Sequence, residues 1–243
     1  MIYGYSTGAL AKGDFVAALA MLESIDIAGI ELSALRVTEL DALLKALPTL
    51  PLQRYAHVTV HAPSSFAAED EGKVVDALAR VADLVRGFIV HAEAIVDPAP
   101  WRALRSKVLV ENADGRKRTG RTLEEFSRVM DTLPDAKVCL DLAHAHQVDP
   151  TLLEAHRLSR AFADQIEQIH LSQLDHACRH QALSLGIVAE LRRLAPRLPQ
   201  TTVILEAPVG AHLIARQLEL ARACFEGPEA RPTYEAHRAA MTL

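Results

Sequence analysis

Cysteine is scarce in this chain: three in 243 residues, at uneven spacing (Cys139, Cys178, Cys224). An odd number without a regular pattern fits a reduced chain better than a disulfide framework. Positive charge is also short, with 26 Lys and Arg against 31 Asp and Glu and a net charge of −5. That balance argues against a broad basic face for nucleic acid. No apolar run reaches membrane-spanning length, because charges or breakers interrupt each one. The N-terminus enters a strand-like run, Ile2 to Ser6, with no basic region, apolar signal core or cleavage pattern. A cytoplasmic protein without a membrane partner is expected. A glycine-rich phosphate fingerprint is missing as well: STGALAKG, after the first strand, lacks the GxGxxG spacing, which counts against a doubly wound dinucleotide-binding sheet.

Hydrophobic residues make up 50% of the chain, enough for a large core. They fall into eight short runs: IYGYS (Ile2 to Ser6), GIELS (Gly29 to Ser33), HVTVH (His57 to His61), FIVH (Phe88 to His91), KVLVE (Lys107 to Glu111), KVCLD (Lys137 to Asp141), QIHL (Gln168 to Leu171) and TVILE (Thr202 to Glu206). Amphipathic stretches separate them. DFVAALAMLESI opens on Asp14 as an N-cap, and in TLEEFSRVM Thr122 and Glu125 have capping-box spacing. Strand and helix alternating eight times in a chain of this length predict an α/β fold of the (β/α)8 barrel type. With no linker or low-complexity segment, residues 1–243 are expected to form a single domain. The stretch from about 225, FEGPEARPTYEAHRAAMTL, breaks the pattern and is read as a tail over the barrel or at a homo-oligomer contact.

Barrel enzymes place their chemistry at the C-terminal ends of the strands. Here the third strand ends in His61, the fourth in His91, the fifth in Glu111 and the sixth in Asp141; the seventh carries His170 and the eighth ends in Glu206. Beyond the sixth strand His144 follows Asp141 in a D-x-x-H step, and beyond the seventh Cys178 and His180 frame Arg179. Each of these has an ordinary reading alone: a strand-end His caps a carbonyl, a strand-end Glu pairs with Lys. Three carboxylates and several imidazoles converging without matching cations are costly unless a metal supplies the positive charge. Such donors suit Zn, Mn, Fe or Co. Elsewhere, His57 sits near its strand's start and reads as structural. His156 in a helix and His237 in the tail read as solvated, and Cys139 and Cys224 as buried small residues. Glu31 is read as a substrate contact or a structural partner. The basic run RKRTGR (Arg116 to Arg121) either grips phosphate or is a solvated loop.

At this level the sequence resembles the xylose isomerase-like barrels, which include endonuclease IV type nucleases and sugar epimerases and isomerases. The resemblance rests on VTVHAP, VLVENADGRKRTGRTLEEF, VCLDLAHAHQVD, QIHLS, CRHQALSLG and VILEAP. The nuclease pattern implies one metal at His61, His91 and Glu111, and a second at Glu111, Asp141, His170 and Glu206. It implies a third at His144, His180 and the Cys178 position, where the nucleases have Asp. The loop SSFAAED after HAP lacks the pattern of the DNA-gripping loops, so a nucleic-acid partner is disfavoured. The epimerase branch implies a single metal at Glu111, Asp141, His170 and Glu206, with His144 and Arg179 on substrate; His146 matches no ligand position and reads as supporting or surface. The expected cofactors are divalent metal ions, Zn or Mn first, then Fe or Co. The expected function is metal-dependent hydrolysis of a small phosphorylated or sugar-like substrate, with Glu111, Glu206 and Arg179 catalytic. A sugar phosphate isomerase or epimerase is the alternative, and a non-catalytic metal-binding barrel the third reading.

Overall fold

The computed structural model describes residues 1–226. Eight parallel strands close on themselves: β1 (Ile2–Ser6), β2 (Gly29–Ser33), β3 (His57–His61), β4 (Gly87–His91), β5 (Val108–Glu111), β6 (Lys137–Asp141), β7 (Ile166–Leu171) and, after a small hairpin, β10 (Thr202–Leu205). Closure comes from β1, which pairs with β10 (Tyr3 to Val203) and with β2 (Tyr5 to Ile30). This is the expected (β/α)8 barrel, with strand ends within two residues of those read from the sequence. The hairpin, β8 (Gln173–Leu174) with β9 (His180–Gln181), is antiparallel and has no counterpart in the sequence reading. The tail lies outside the described residues, with His237, except that Phe225 and Glu226 finish the last helix, Ala211–Glu226. Among the described residues no helix is long and apolar enough to cross a membrane.

Local chemistry sets the helix starts. Asp14 accepts from Ala17 N at 2.9 Å, as expected of an N-cap. Thr122 Oγ1 accepts from Glu125 N at 3.3 Å, but only half of the expected capping box forms. The Glu125 side chain turns instead to Arg121, taking its backbone N at 3.0 Å and its Nη2 at 2.6 Å. An adjacent guanidinium outcompetes a neutral N–H for a carboxylate.

Side chains alternate across each strand, so one set packs outward on the helices and the other fills the barrel. The outward set joins the helices in one continuous hydrophobic cluster that includes Tyr5, Leu32, Val60, Phe88, Trp101 and Leu140. The inward set is different. Its apolar members Ile89, Leu109 and Cys139 form a small separate cluster, and much of the rest is polar: Glu31, His57, Thr59, Gln168 and His170, all buried. His57 is structural as expected, its Nε2 3.0 Å from Gln168 Oε1. His156 differs from expectation; it is half-buried, and its Nδ1 has no partner.

Candidate metal centre

The polar lining rises to the C-terminal mouth, where the strand-end residues meet. Glu111 is at the centre. Its Oε2 lies 3.1 Å from His61 Nε2 and 3.2 Å from His91 Nε2, while its Oε1 lies 3.2 Å from His170 Nδ1 and 3.4 Å from His144 Nδ1. His170 Nδ1 also faces Glu206 Oε2 at 3.4 Å and Asp141 Oδ2 at 3.9 Å. Three groups have donor atoms all within 4.8 Å of one another: His61, His91 and Glu111; Glu111, Asp141, His170 and Glu206; and Glu31, His61 and Glu206. The first two are the sets expected from the sequence.

The D-x-x-H step has a local cause. Asp141 is the N-cap of the helix Leu142–Val148, and its Oδ1 accepts from His144 N at 2.7 Å; the three-residue spacing is that of a cap bonding to N3. Asn112 locks the neighbouring strand end, giving Nδ2 to Asp141 O and taking Asp141 N through Oδ1. The cap uses one oxygen of Asp141 and leaves the other, Oδ2, buried with no hydrogen-bond partner. Glu31 Oε1 is in the same condition. An unsatisfied buried acceptor costs about 1–3 kcal/mol, more if charged, so two of them inside one barrel suit a bound cation.

Electrostatics tell the same story. Burial alone raises the Glu111 carboxyl, yet His91, His170 and His61 together hold it well below its ordinary value. At Asp141 burial, with Glu111 and Glu206 adding to it and His144 opposing, pushes the carboxyl up to about 6. Burial opposes protonation of His61, but its hydrogen bond to Glu111 and the charges of Glu31, Glu111 and Glu206 raise it to about 9. In His91 burial prevails and the ring is lowered. Without a metal, the cluster balances its carboxylates with imidazole protons. The donor set of carboxylate oxygens and imidazole nitrogens fits Zn, Mn, Fe or Co.

The trio expected to hold a third ion does not assemble. Cys178 is buried in the turn of the β8–β9 hairpin, at φ 54°, with its N bonded to Asp175 O. Arg179, expected on substrate, is held by Asp175 at 2.8 Å with its side chain 71% exposed. Neither residue lines the mouth, and Cys178 joins no ion group among the described residues. His180 does reach the mouth, 2.8 Å from Ser172 Oγ and 3.8 Å from Glu206 Oε2. His144 lines it too, its Nδ1 2.9 Å from the Asn112 carbonyl. His146 is turned outward to Glu190 at 2.9 Å. Sequence reading leaves Asn112 and Gln168 unnoticed and Glu31 undecided; the available signal is the strand alternation, which puts Glu31 and Gln168 on inward faces.

The mouth is a cavity of about 390 Å³. Lys12, Arg116 and Lys117 stand on its wall with Ser6 and Ser33. Arg116 is paired with Asp114 at 2.6 Å and Lys117 with Glu93 at 2.9 Å, so most of the charge of the RKRTGR loop is balanced within the chain. Lys12 adopts a strained φ of 55° at the end of the helix Thr7–Ala11.

Solved structures of similar fold include endonuclease IV from Thermus thermophilus, at 22% identity and TM-score 0.63, covering 93% of this chain and 99% of that one. Another is 3-keto-D-glucoside 4-epimerase from E. coli, at 17% identity and TM-score 0.55 over 92% of this chain and 100% of that one. L-ribulose 3-epimerase aligns at 14% identity and TM-score 0.58, covering 99% and 97%. No curated protein matches the sequence. The family model described as xylose isomerase-like TIM barrel matches residues 37–224, and the chain belongs to that family.

Proposed function

We propose that the protein is a metal-dependent hydrolase of small phosphorylated or sugar-like substrates, with at least two divalent ions at the barrel mouth. One observation carries this reading: the two oxygens of Glu111 face different donor sets, Oε2 toward His61 and His91 and Oε1 toward His170. Glu111 would therefore be shared by the two donor sets, holding an ion with each. When bound, such ions supply Lewis acidity at phosphate oxygens and lower the pKa of water. The chain's own part is to fix the donors. Asn112 and the helix cap hold Asp141, and His61 Nδ1 gives its proton to the Ala62 carbonyl at 2.7 Å, leaving Nε2 for the ion. Lys12 is the wall cation that would meet an anionic substrate, since Arg116 and Lys117 already have carboxylate partners. A mouth of about 390 Å³ suits a sugar- or nucleotide-sized molecule more than a duplex.

Metal analysis tests this first. The purified protein should hold two or more transition-metal ions per chain, and Glu111→Gln should remove most of them. One ion or none rules out the multinuclear reading. Chelator-sensitive cleavage of a simple phosphodiester is the expected activity. A second reading has its own support: Glu111, Asp141, His170 and Glu206 form a complete four-residue set without His61 or His91. A single ion there, with Glu111 and Glu206 exchanging a proton with a ketose carbon, gives an isomerase or epimerase. One ion per chain and turnover of a ketose panel is its signature.

A further inference from the structure

Glu31 stands on β2, fully buried, with Oε2 2.7 Å from both His170 Nε2 and Gln168 Nε2. Gln168 is held in turn by His57 and Thr59, which share its Oε1 at 3.0 and 3.1 Å. This buried network fixes one oxygen of Glu31 and leaves the other, Oε1, with no partner. Among the described residues the only other carboxylate oxygen so placed is Asp141 Oδ2, which belongs to the four-residue ion group. The parallel identifies what Glu31 Oε1 lacks.

We propose that Glu31, His61 and Glu206 form an inner seat for a divalent cation, deeper in the barrel than the seat made by His61, His91 and Glu111. Their donor atoms already lie within 4.8 Å of one another. The inference rests on the two-ion reading and adds to it, because Glu31 belongs to neither of the two donor sets on which that reading stands. His61 has one nitrogen to give, Nε2, since Nδ1 is committed to the Ala62 carbonyl. The inner and outer seats are therefore alternatives for one ion. Glu206 has two oxygens and can serve the inner seat and the four-residue group together. One ion stays in that group while the other moves between seats. An ion in the inner seat frees His91 and the outer half of the mouth for substrate. The charge count agrees: Glu31, Glu111, Asp141 and Glu206 bring four negative charges, which two divalent ions balance.

Equilibrium dialysis of the full chain against Co²⁺ tests this. Wild type, His91→Ala and Glu31→Gln should each bind two ions, because either seat suffices. The double variant should bind one tightly, with the second weakened on the order of 100-fold relative to His91→Ala. Glu31→Gln keeps an acceptor for His170 Nε2–H, so the four-residue group is undisturbed. One ion in His91→Ala, or two tight ions in the double variant, overturns the inner seat. One ion in wild type instead defeats the two-ion reading beneath it. If the double variant does not fold, the visible spectrum of the second Co²⁺ decides. The single variants should differ, since one seat offers two imidazoles and the other one; identical spectra overturn the proposal.

Discussion

Four imidazoles crowd one carboxylate at Glu111, and that crowding has a pH consequence. Metal-free His61 is protonated below about 9, and Asp141 below about 6. The two ions need His61 and His170 neutral and Asp141 ionised. Burial opposes protonation of His170, yet the charges around it, Glu206, Glu31 and Glu111 among them, hold it well above its ordinary value. So at neutral pH binding must displace a proton from each ring, and below about 6 a further one from Asp141. Affinity therefore falls with falling pH. The Kd for Co²⁺ should rise about tenfold per unit from about pH 8 to 6.5 and more steeply below about 6. Calorimetry in two buffers of different ionisation enthalpy should count about two protons released per chain at about pH 7.5, one from His61 and one from His170; a flat profile with no release contradicts the assignment. At this scale the sequence is readable where a ligand type ends a strand, as at His61, His91, Glu111 and Asp141. It misleads at Cys178 and Arg179. Their C-R-H string carries no sign of the positive φ at Cys178 or of the Asp175 side chain that draws Arg179 away.

Elements are tied together by buried polar anchors, and Glu71 is one outside the mouth. It opens the helix Glu71–Ala79 and accepts from Trp101 Nε1 at 2.7 Å, Asp97 N at 2.9 Å and Val96 N at 3.0 Å. Three donors from the segment that starts the helix Pro98–Arg102 would lose their acceptor in Glu71→Ala. Only Trp101 Nε1 is buried among them; the N–H groups of Val96 and Asp97 lie on exposed residues that water can reach. At about 1–3 kcal/mol for one unsatisfied buried group, the variant should lose about 1–3 kcal/mol in urea unfolding. Its Co²⁺ stoichiometry should stay unchanged; an unaltered midpoint would show the anchor to be dispensable. Helices with a periodic apolar face are legible from sequence, such as Leu153–Ala161. The β8–β9 hairpin is not, because strands of two residues are too short to show alternation.

For the molecule as a whole, closure depends on a narrow seam. Gly4 and Gly29 are paired neighbours on β1 and β2, and a Cβ on Gly4 would stand 2.3 Å from Gly29 O. That atom is backbone and cannot swing away. Gly4→Ala should thus spread β1 from β2 and cost about 1–3 kcal/mol, read as a lower Tm; a Tm equal to wild type would mean the seam is loose. The barrel is legible because eight alternations leave few other topologies. Which polar side chains meet inside it is not, because that depends on a register set only when β1 joins β10.

The division between the outward hydrophobic jacket and the polar lining bears on how this molecule can change. Tyr5, Leu32, Phe88 and Leu140 pack away from the mouth, whereas Glu31, Glu111 and His170 stand on the inner side of the strands. Substitutions in the lining, drawn separately from those that govern folding, can accumulate while the jacket keeps its stability. A library confined to inward positions such as Ser6, Glu31, Ser33 and His91 is the place to seek new substrates on this scaffold.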